Sequence, residues 1–201
     1  MAGKKYLNKK NVIVQNKTLK DLFSSSKKEK NKKLRYYEYL DPIKDEILEY
    51  FTPQDKSGYR IVHNPHSQDD FIPQRFMDTS RGRDRYKVTL SEEDFRKESV
   101  EKRLNYISTF SISNYDSPEK AEKMLQSSYK RILERHDREE ADGFINNIGA
   151  FIVKVDYKKE DGLIGQVNDK GHFDFLPYES FNYQKRLDES FNIKSLRYED
   201  E

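Results

Sequence analysis

The sequence contains no cysteine, and this absence excludes several kinds of chemistry at once. Without thiols there is no disulfide, no thiolate nucleophile and no zinc site built on sulfur. Long apolar runs are also missing: the longest, residues 148–153, is far below the roughly 20 residues of a membrane-spanning helix. Near the amino terminus, the apolar stretch at residues 12–14 is shorter than the core of a signal peptide, about 7 to 15 residues. These absences predict a cytoplasmic protein without a membrane segment.

Three sequence motifs that commonly mark an active site are absent as well. There is no glycine-rich phosphate-binding loop, no G-x-S-x-G nucleophile turn and no metalloprotease helix. The eight glycines are scattered along the chain as caps and turns. No motif therefore assigns a metal or a cofactor, and function has to be argued from smaller groups of residues.

Charge is distributed unevenly along the chain. Residues 1–35 contain eleven lysines and one arginine against Asp21 and Glu29, a net charge of +10, whereas the remaining residues carry −8. The first segment also has few apolar residues to offset the entropy of ordering. We therefore expect a basic flexible arm over residues 1–35, a folded domain over residues 36–182, and a polar, acidic tail over residues 183–201.

Hydrophobic periodicity predicts a single α+β domain. Capped amphipathic segments predict helices over residues 41–51, 91–104 and 117–143, the last bounded by Ser117 and Gly143. Strands are expected at residues 58–63, 106–113, 150–157, 163–167 and 172–176. We expect a mostly antiparallel sheet of about five strands that ends in a three-stranded meander and is packed by three or four helices.

The basic arm supports the first functional hypothesis. Its lysines run directly into tyrosines, and cations that bind phosphates beside rings that stack on bases are a common way to hold single-stranded nucleic acid. The candidate contact residues are Lys27, Lys28, Lys30, Lys32, Lys33, Arg35, Tyr36, Tyr37, Arg81, Arg83 and Arg85. For each candidate catalytic residue a structural role explains the sequence better than a catalytic one. We therefore expect a non-catalytic module that binds nucleic acid or an acidic protein. The sequence predicts no oligomeric state.

The segment YISTFSIS, residues 106–113, carries an unusual number of hydroxyls. If this segment is a strand, its hydroxyls lie either on an exposed polar face of the sheet or on the floor of a nucleotide pocket. The order of elements around it resembles the ADP-ribosyltransferases, which place an Arg or His on an early strand, a Ser-Thr-Ser run on a middle strand and a Glu late in the chain. The corresponding residues here are Arg60 or His63 in GYRIVH, then Ser108, Thr109 and Ser111, then Glu179 in LPYESF.

This resemblance implies an NAD-dependent enzyme as the alternative function. A cation on the first strand would hold the diphosphate of NAD. The hydroxyls would order the ribose, and Glu179 would stabilise the oxocarbenium as nicotinamide leaves. NAD is the cofactor under this hypothesis, whereas the binding hypothesis requires none.

HNPHSQDD brings together His63, His66, Asp69 and Asp70, whose side chains are of types that bind metals. The pattern favours a polar turn after a strand, because no regular element fixes these side chains at a known ligand spacing.

Arg131 and His136 form an R-x4-H pattern that resembles HEPN ribonucleases, in which a general acid or base beside a cation would cleave RNA. On an ideal helix these two side chains diverge by about 140°. His136 also continues the apolar face of its helix, so we expect a core or boundary histidine.

Overall fold

The computed structural model of the protein describes residues 32–76 and 89–194. The chain divides into two compact units, Met1–Lys33 and Leu34–Glu201, and the described residues lie almost wholly in the second. Part of the predicted nucleic-acid surface lies outside the described residues, namely Lys27, Lys28, Lys30, Arg81, Arg83 and Arg85.

Six α-helices lie in the described part of the chain. Their bounds are α1 (Tyr37–Leu40), α2 (Lys44–Tyr50), α3 (Glu92–Lys97), α4 (Val100–Ser108), α5 (Pro118–Arg135) and α6 (Arg138–Ile148). Short 3-10 turns occupy Asp41–Ile43, Gln68–Phe71, Gln74–Phe76 and Tyr183–Lys185. Ser91, Ser99 and Ser117 cap α3, α4 and α5, each accepting a hydrogen bond from the backbone N–H three residues further on.

Seven strands lie in the described part of the chain and form one antiparallel sheet. They are β1 (Phe51–Thr52), β2 (Lys56–Val62), β3 (Ile112–Tyr115), β4 (Phe151–Tyr157), β5 (Gly162–Gly165), β6 (His172–Pro177) and β7 (Leu187–Lys194). Their order across the sheet is β1-β5-β6-β3-β2-β4-β7. The predicted α+β class is confirmed, and the sheet has seven strands where about five were expected.

The expected meander at the end of the chain is wrong in its first strand. β5 and β6 form a hairpin in which Leu163 lies opposite Leu176. β4 is not next to β5 and pairs instead with β2 over the whole length of both strands. A seven-residue partner offers β4 a longer hydrogen-bonded ladder than the four-residue β5, so proximity in sequence does not decide the pairing.

The sheet extends beyond residue 182, where the domain was expected to end. β7 pairs with β4 at the sheet edge, so residues 187–194 belong to the sheet rather than to a tail. Arg186, just before β7, donates two hydrogen bonds to Asp161, from Nε at 2.7 Å and from Nη2 at 3.0 Å. An edge strand exposes one side to solvent, and this is why the polar sequence LDESFNIK is compatible with a strand.

The helix predicted over residues 117–143 is two helices. At His136 the backbone leaves the helical region, with φ −134° and ψ −137°. Asp137 then caps α6 by accepting a hydrogen bond from the Glu140 backbone N–H at 2.8 Å. An aspartate that satisfies the amides of a new helix start competes with continuation of the first helix. Gly143 consequently lies inside α6, which ends at Gly149 instead.

YISTFSIS is the end of a helix followed by a short strand, so the predicted strand over residues 106–113 is wrong in its first half. Tyr106 and Ser108 lie in the last turn of α4, and β3 begins at Ile112. The Thr109 hydroxyl donates to the Tyr106 carbonyl at 2.7 Å, and the Ser111 hydroxyl donates to the Ser108 carbonyl at 2.9 Å. The hydroxyls therefore satisfy carbonyl groups that a helix end leaves unpaired.

Two apolar cores lie on opposite faces of the sheet. One contains Leu163 and Leu176 with residues of α1 to α4. The other contains Ile164 and Phe175 with residues of β2, β3 and β4. Leu163 and Ile164 are neighbours in β5, and neighbouring residues of a strand point to opposite faces of the sheet. The sheet therefore lies between the two cores. Helix α5 packs against β2, β3 and β4.

Replacing Gly149 with alanine is expected to lower the free energy of unfolding by about 2 kcal/mol or more. A Cβ atom there would lie 2.0 Å from the Val62 carbonyl oxygen, and φ is +90°. Gly143→Ala is the matched control, because its added Cβ has no described atom within 4 Å apart from its chain neighbours and its own helix backbone. In a helix interior this change is expected to stabilise by roughly 0.5 to 1 kcal/mol. Urea unfolding compares the two variants, and effects of the same sign would contradict these placements.

Candidate functional site

The sheet opens between β2 and β3. These strands pair where Tyr59 lies opposite Tyr115, and their described residues form no further ladder pair. The Arg60 side chain occupies the opening: Nη1 donates to the Ser113 carbonyl at 2.6 Å, and Nε donates to the carbonyl of Asp70. Nη2 has no acceptor among the described residues, so this guanidinium nitrogen is available to a ligand.

A cleft of about 310 Å³ lies at this opening. Strands β2, β3 and β6 line it together with helices α5 and α6. The strand residues are Arg60, Ile61, Ser113, Tyr115 and His172, and the helix residues are Met124, Ser128, Phe144, Asn147 and Ile148. His63, Asp70, Ile72 and Ser111 complete the lining. This volume falls within the range of about 300 to 1,000 Å³ that is common for small-molecule sites.

The structure brings together half of the residues that the sequence assigned to an NAD site. Those on the cleft are Arg60, His63 and Ser111. The other three do not line it. Ser108 faces a smaller cleft of about 120 Å³, and the Thr109 hydroxyl caps α4. Glu179 is exposed in the turn after β6.

His63 is held in one orientation by hydrogen bonds at both ring nitrogens. Nδ1 lies 2.5 Å from the Asp70 carboxylate, and Nε2 lies 3.0 Å from the Asn146 carbonyl oxygen. Asp70 is only 4% exposed and also accepts the backbone N–H groups of His63 and Ser67. Both ring nitrogens therefore have hydrogen-bond partners, and the imidazole ring is fixed at the edge of the cleft.

Asp174, on β6, was not among the predicted site residues; it lines the smaller cleft with Ser108 and contacts residues of the larger one. Its carboxylate accepts hydrogen bonds from Ser108 and from Ser111, the latter at 2.6 Å, and lies 3.8 Å from Nε2 of His172. The side chain is 14% exposed. Two of these partners, Ser111 and His172, line the cleft. The sequence signal that could have identified it is the carboxylate between two phenylalanines in HFDFL. Because successive residues of a strand face opposite sides of the sheet, this carboxylate points away from the core that buries the two rings.

Burial sets the electrostatics around the opening. Burial lowers the pKa of Arg60, an effect opposed by Tyr157, Asp70 and Tyr115, and the guanidinium keeps its charge at neutral pH. Burial also raises the pKa of Tyr115 to about 12, although the nearby Arg60 cation acts in the opposite direction. At neutral pH the cleft therefore presents an arginine cation beside an uncharged phenol.

Within residues 32–76 and 89–194, no group of three or more His, Asp or Glu side chains is arranged to hold a metal ion. Arg131 and His136, the residues of the ribonuclease hypothesis, have different polar partners. His136 is 52% exposed and lies 3.2 Å from the Glu140 carboxylate, so the expected core or boundary position is wrong. Arg131 donates to the Ser128 hydroxyl at 3.1 Å.

Several predicted nucleic-acid contacts take part in the fold. The Arg35 guanidinium donates to the Phe181 carbonyl and lies over the Phe181 ring. Tyr36 stacks on Phe76 with ring centroids 4.2 Å apart. Tyr37 is 39% exposed. Arg35 and Tyr36 therefore stabilise the domain, and the contribution of the preceding basic segment to binding stays a prediction.

No protein-family model matches the chain, and no curated protein or solved structure matches it significantly. Of the helices in the described part of the chain, none has the length and the apolar character needed to span a bilayer. The geometry of the cleft is therefore the basis for a functional conclusion.

Tyr115→Phe is expected to remove one late-titrating tyrosine. Because burial raises the pKa of Tyr115 to about 12, the tyrosinate absorbance that the variant lacks should have its midpoint near pH 12. An ordinary exposed tyrosine titrates near pH 10. Spectrophotometric titration of both proteins gives the difference curve, and a midpoint near pH 10 would contradict a buried phenol at the cleft.

The same shift predicts a stability effect of defined sign. The folded state retains a phenol proton that the unfolded chain releases, so this stabilisation is complete below about pH 10 and is lost between about pH 10 and pH 12. Tyr115→Phe should reduce the alkaline loss of unfolding free energy by up to about 2 kcal/mol, since the side chain is partly solvated. Denaturant unfolding at about pH 9 and about pH 11 measures this difference.

Proposed function

We propose that the protein is an ADP-ribosyltransferase-like enzyme that binds NAD in the cleft and cleaves the bond between nicotinamide and ribose. The observation that carries this proposal is the convergence of Arg60 and His63, at the end of β2, with Ser111, before β3. These two segments are about fifty residues apart in sequence, so local structure does not account for their meeting.

The Arg60 end of the cleft suits the diphosphate of NAD. Nη2 of Arg60 is available, and the His63 ring on the same cleft is fixed by hydrogen bonds at both nitrogens. Asp70 is the carboxylate among the described lining residues, and its charge is already engaged by His63 and by two backbone amides. A hydrogen bond between a guanidinium and a phosphate oxygen is worth about 1.5 to 3 kcal/mol.

Tyr115 and His172 supply aromatic surface for a flat heterocycle. Their ring centroids are 5.5 Å apart at an interplanar angle of 68°, and both residues line the cleft. Offset and edge contacts between rings add about 0.5 to 1.5 kcal/mol to area burial. We place the nicotinamide end here because Asp174 adjoins His172.

Asp174 takes the role that the sequence resemblance assigned to Glu179. When the bond between C1′ and the nicotinamide nitrogen breaks, its electron pair leaves with nicotinamide and the ribose gains positive charge. The partners of Asp174 at shortest distance are two neutral hydroxyls, which orient the carboxylate without cancelling its charge. The carboxylate therefore stabilises the ribosyl cation through space. Water or another acceptor then bonds to C1′ and releases a proton.

Asp174→Asn is expected to slow nicotinamide release about 100-fold or more while changing NAD affinity by no more than about threefold. The asparagine keeps the shape and one acceptor oxygen but removes the charge. Chromatography of nicotinamide released by the full chain measures turnover, and calorimetry measures NAD binding.

Arg60→Lys should weaken NAD binding about tenfold, because an ammonium group cannot replace the planar guanidinium.

Glu179→Gln is the matched control, since it removes the same charge from an exposed residue that lines neither the cleft nor the smaller cleft at Ser108. We expect wild-type turnover from this variant. Absence of NAD binding by the wild-type protein would overturn the proposal. Loss of turnover in Glu179→Gln with retention in Asp174→Asn would overturn the role given to Asp174.

A further inference from the structure

A second groove, of about 820 Å³, adjoins the cleft. The two cavities share four lining residues, Tyr115, Met124, Ser128 and His172, so they are continuous. Helix α5 lines one side of the groove, and the turn between β5 and β6 lines the other. NAD cleavage as proposed above uses Tyr115 and His172 at the junction but no other residue of this second groove.

The α5 side carries a stripe of cations. Lys120, Lys123 and Arg131 line the groove and recur at helical spacing, so they lie on one helix face over about 16 Å. Lys120 pairs with Asp116 at 2.8 Å. Lys123 has neither an ion pair nor a hydrogen bond with another described side chain. Positive charge is therefore present along several turns of the helix and is only partly neutralised.

Lys170 faces this stripe from the turn. The turn is fixed in place, because the Lys170 backbone N–H donates to the Asn168 side chain at 2.9 Å and the Gly171 carbonyl accepts the Asp116 backbone N–H at 2.8 Å. Asp169 is the one carboxylate among the described lining residues, against Lys170 and the three cations of the stripe. The excess positive charge of the groove therefore lies on the α5 side, because Asp169 offsets Lys170 in the turn.

We propose that this groove binds the phosphodiester backbone of single-stranded nucleic acid. A positive stripe about 16 Å long is matched by the phosphates of a few consecutive nucleotides. The hydroxyl of Ser127 and the amide of Asn168 add neutral donors for phosphate oxygens. Tyr115, at the junction with the cleft, offers a ring on which an unpaired base stacks. This aromatic junction favours a nucleic acid over an acidic peptide.

The test is fluorescence anisotropy of the full chain with a labelled single strand of about 12 nucleotides, as DNA and as RNA, without NAD. The wild-type protein is expected to bind with an affinity that falls steeply with salt. The Lys123→Gln/Lys170→Gln double variant should bind about tenfold or more weakly at low salt. Its slope of log affinity against log salt should be shallower by about 1.4, which is about 0.7 for each lost phosphate contact.

Lys130→Gln/Lys102→Gln is the matched control. It removes the same charge from two exposed helix positions outside the groove, one of them on α5 itself. We expect its affinity to stay within about twofold of wild type. The lysines of residues 1–35 are intact in both double variants, so their contribution cancels in the comparison.

Three outcomes would overturn this inference. They are no binding at low salt, equal loss in the two double variants, and displacement of the strand by polyglutamate as effectively as by unlabelled oligonucleotide. The last outcome would assign the groove to an acidic protein. Because the measurement contains no NAD, its result is independent of the proposed glycosidic cleavage.

Discussion

The Arg60 guanidinium is the group on which the cleft depends. It donates to the carbonyl of Ser113, on β3, and to the carbonyl of Asp70, in the 3-10 turn after β2. A cation removed from water is costly unless its donors are satisfied, so both carbonyls are held in place by the same side chain. Nη2 is left to a ligand, and the residue that bridges the opening is also the residue that presents positive charge within it.

Two carboxylates near the opening have different electrostatic surroundings. Asp70 is buried against the His63 imidazole and also accepts the backbone N–H groups of His63 and Ser67. Asp174 is held mainly by the hydroxyls of Ser108 and Ser111, which donate hydrogen bonds without carrying charge. Asp70 therefore orients the His63 ring and the turn at residues 67–70, whereas Asp174 links the end of α4 to β6 through two serine hydroxyls.

Helix α5 carries basic residues that offer the binding hypothesis a second candidate surface besides the start of the chain. Arg35 and Tyr36 contact Phe181 and Phe76 and belong to the fold. The stripe on α5 instead lines a groove that opens into the cleft. The sequence did not reveal this stripe, because lysines and arginines opposite the apolar face of a helix usually belong to an ordinary solvent-exposed face.

Local interactions explain what could be predicted from the sequence. Ser91 and Ser117 were recognised as helix caps because a cap needs only a side chain and an amide a few residues apart. The strand around Arg60 was recognised from its bounding turns and β-prone residues. The end of α4 in YISTFSIS was missed, because hydroxyl-rich residues are compatible with a strand as well as with a helix end.

By itself the sequence determined the α+β class, the helix starts at Ser91 and Ser117, and the placement of Arg60 and His63 at the end of one strand. Only the tertiary structure decided that β4 pairs with β2, that β7 joins the sheet, and that Asp174 rather than Glu179 adjoins the cleft. The physical reason is that caps and periodicity arise from contacts a few residues apart. Strand partners and cleft walls depend instead on competition among ladders and packed faces from distant parts of the chain.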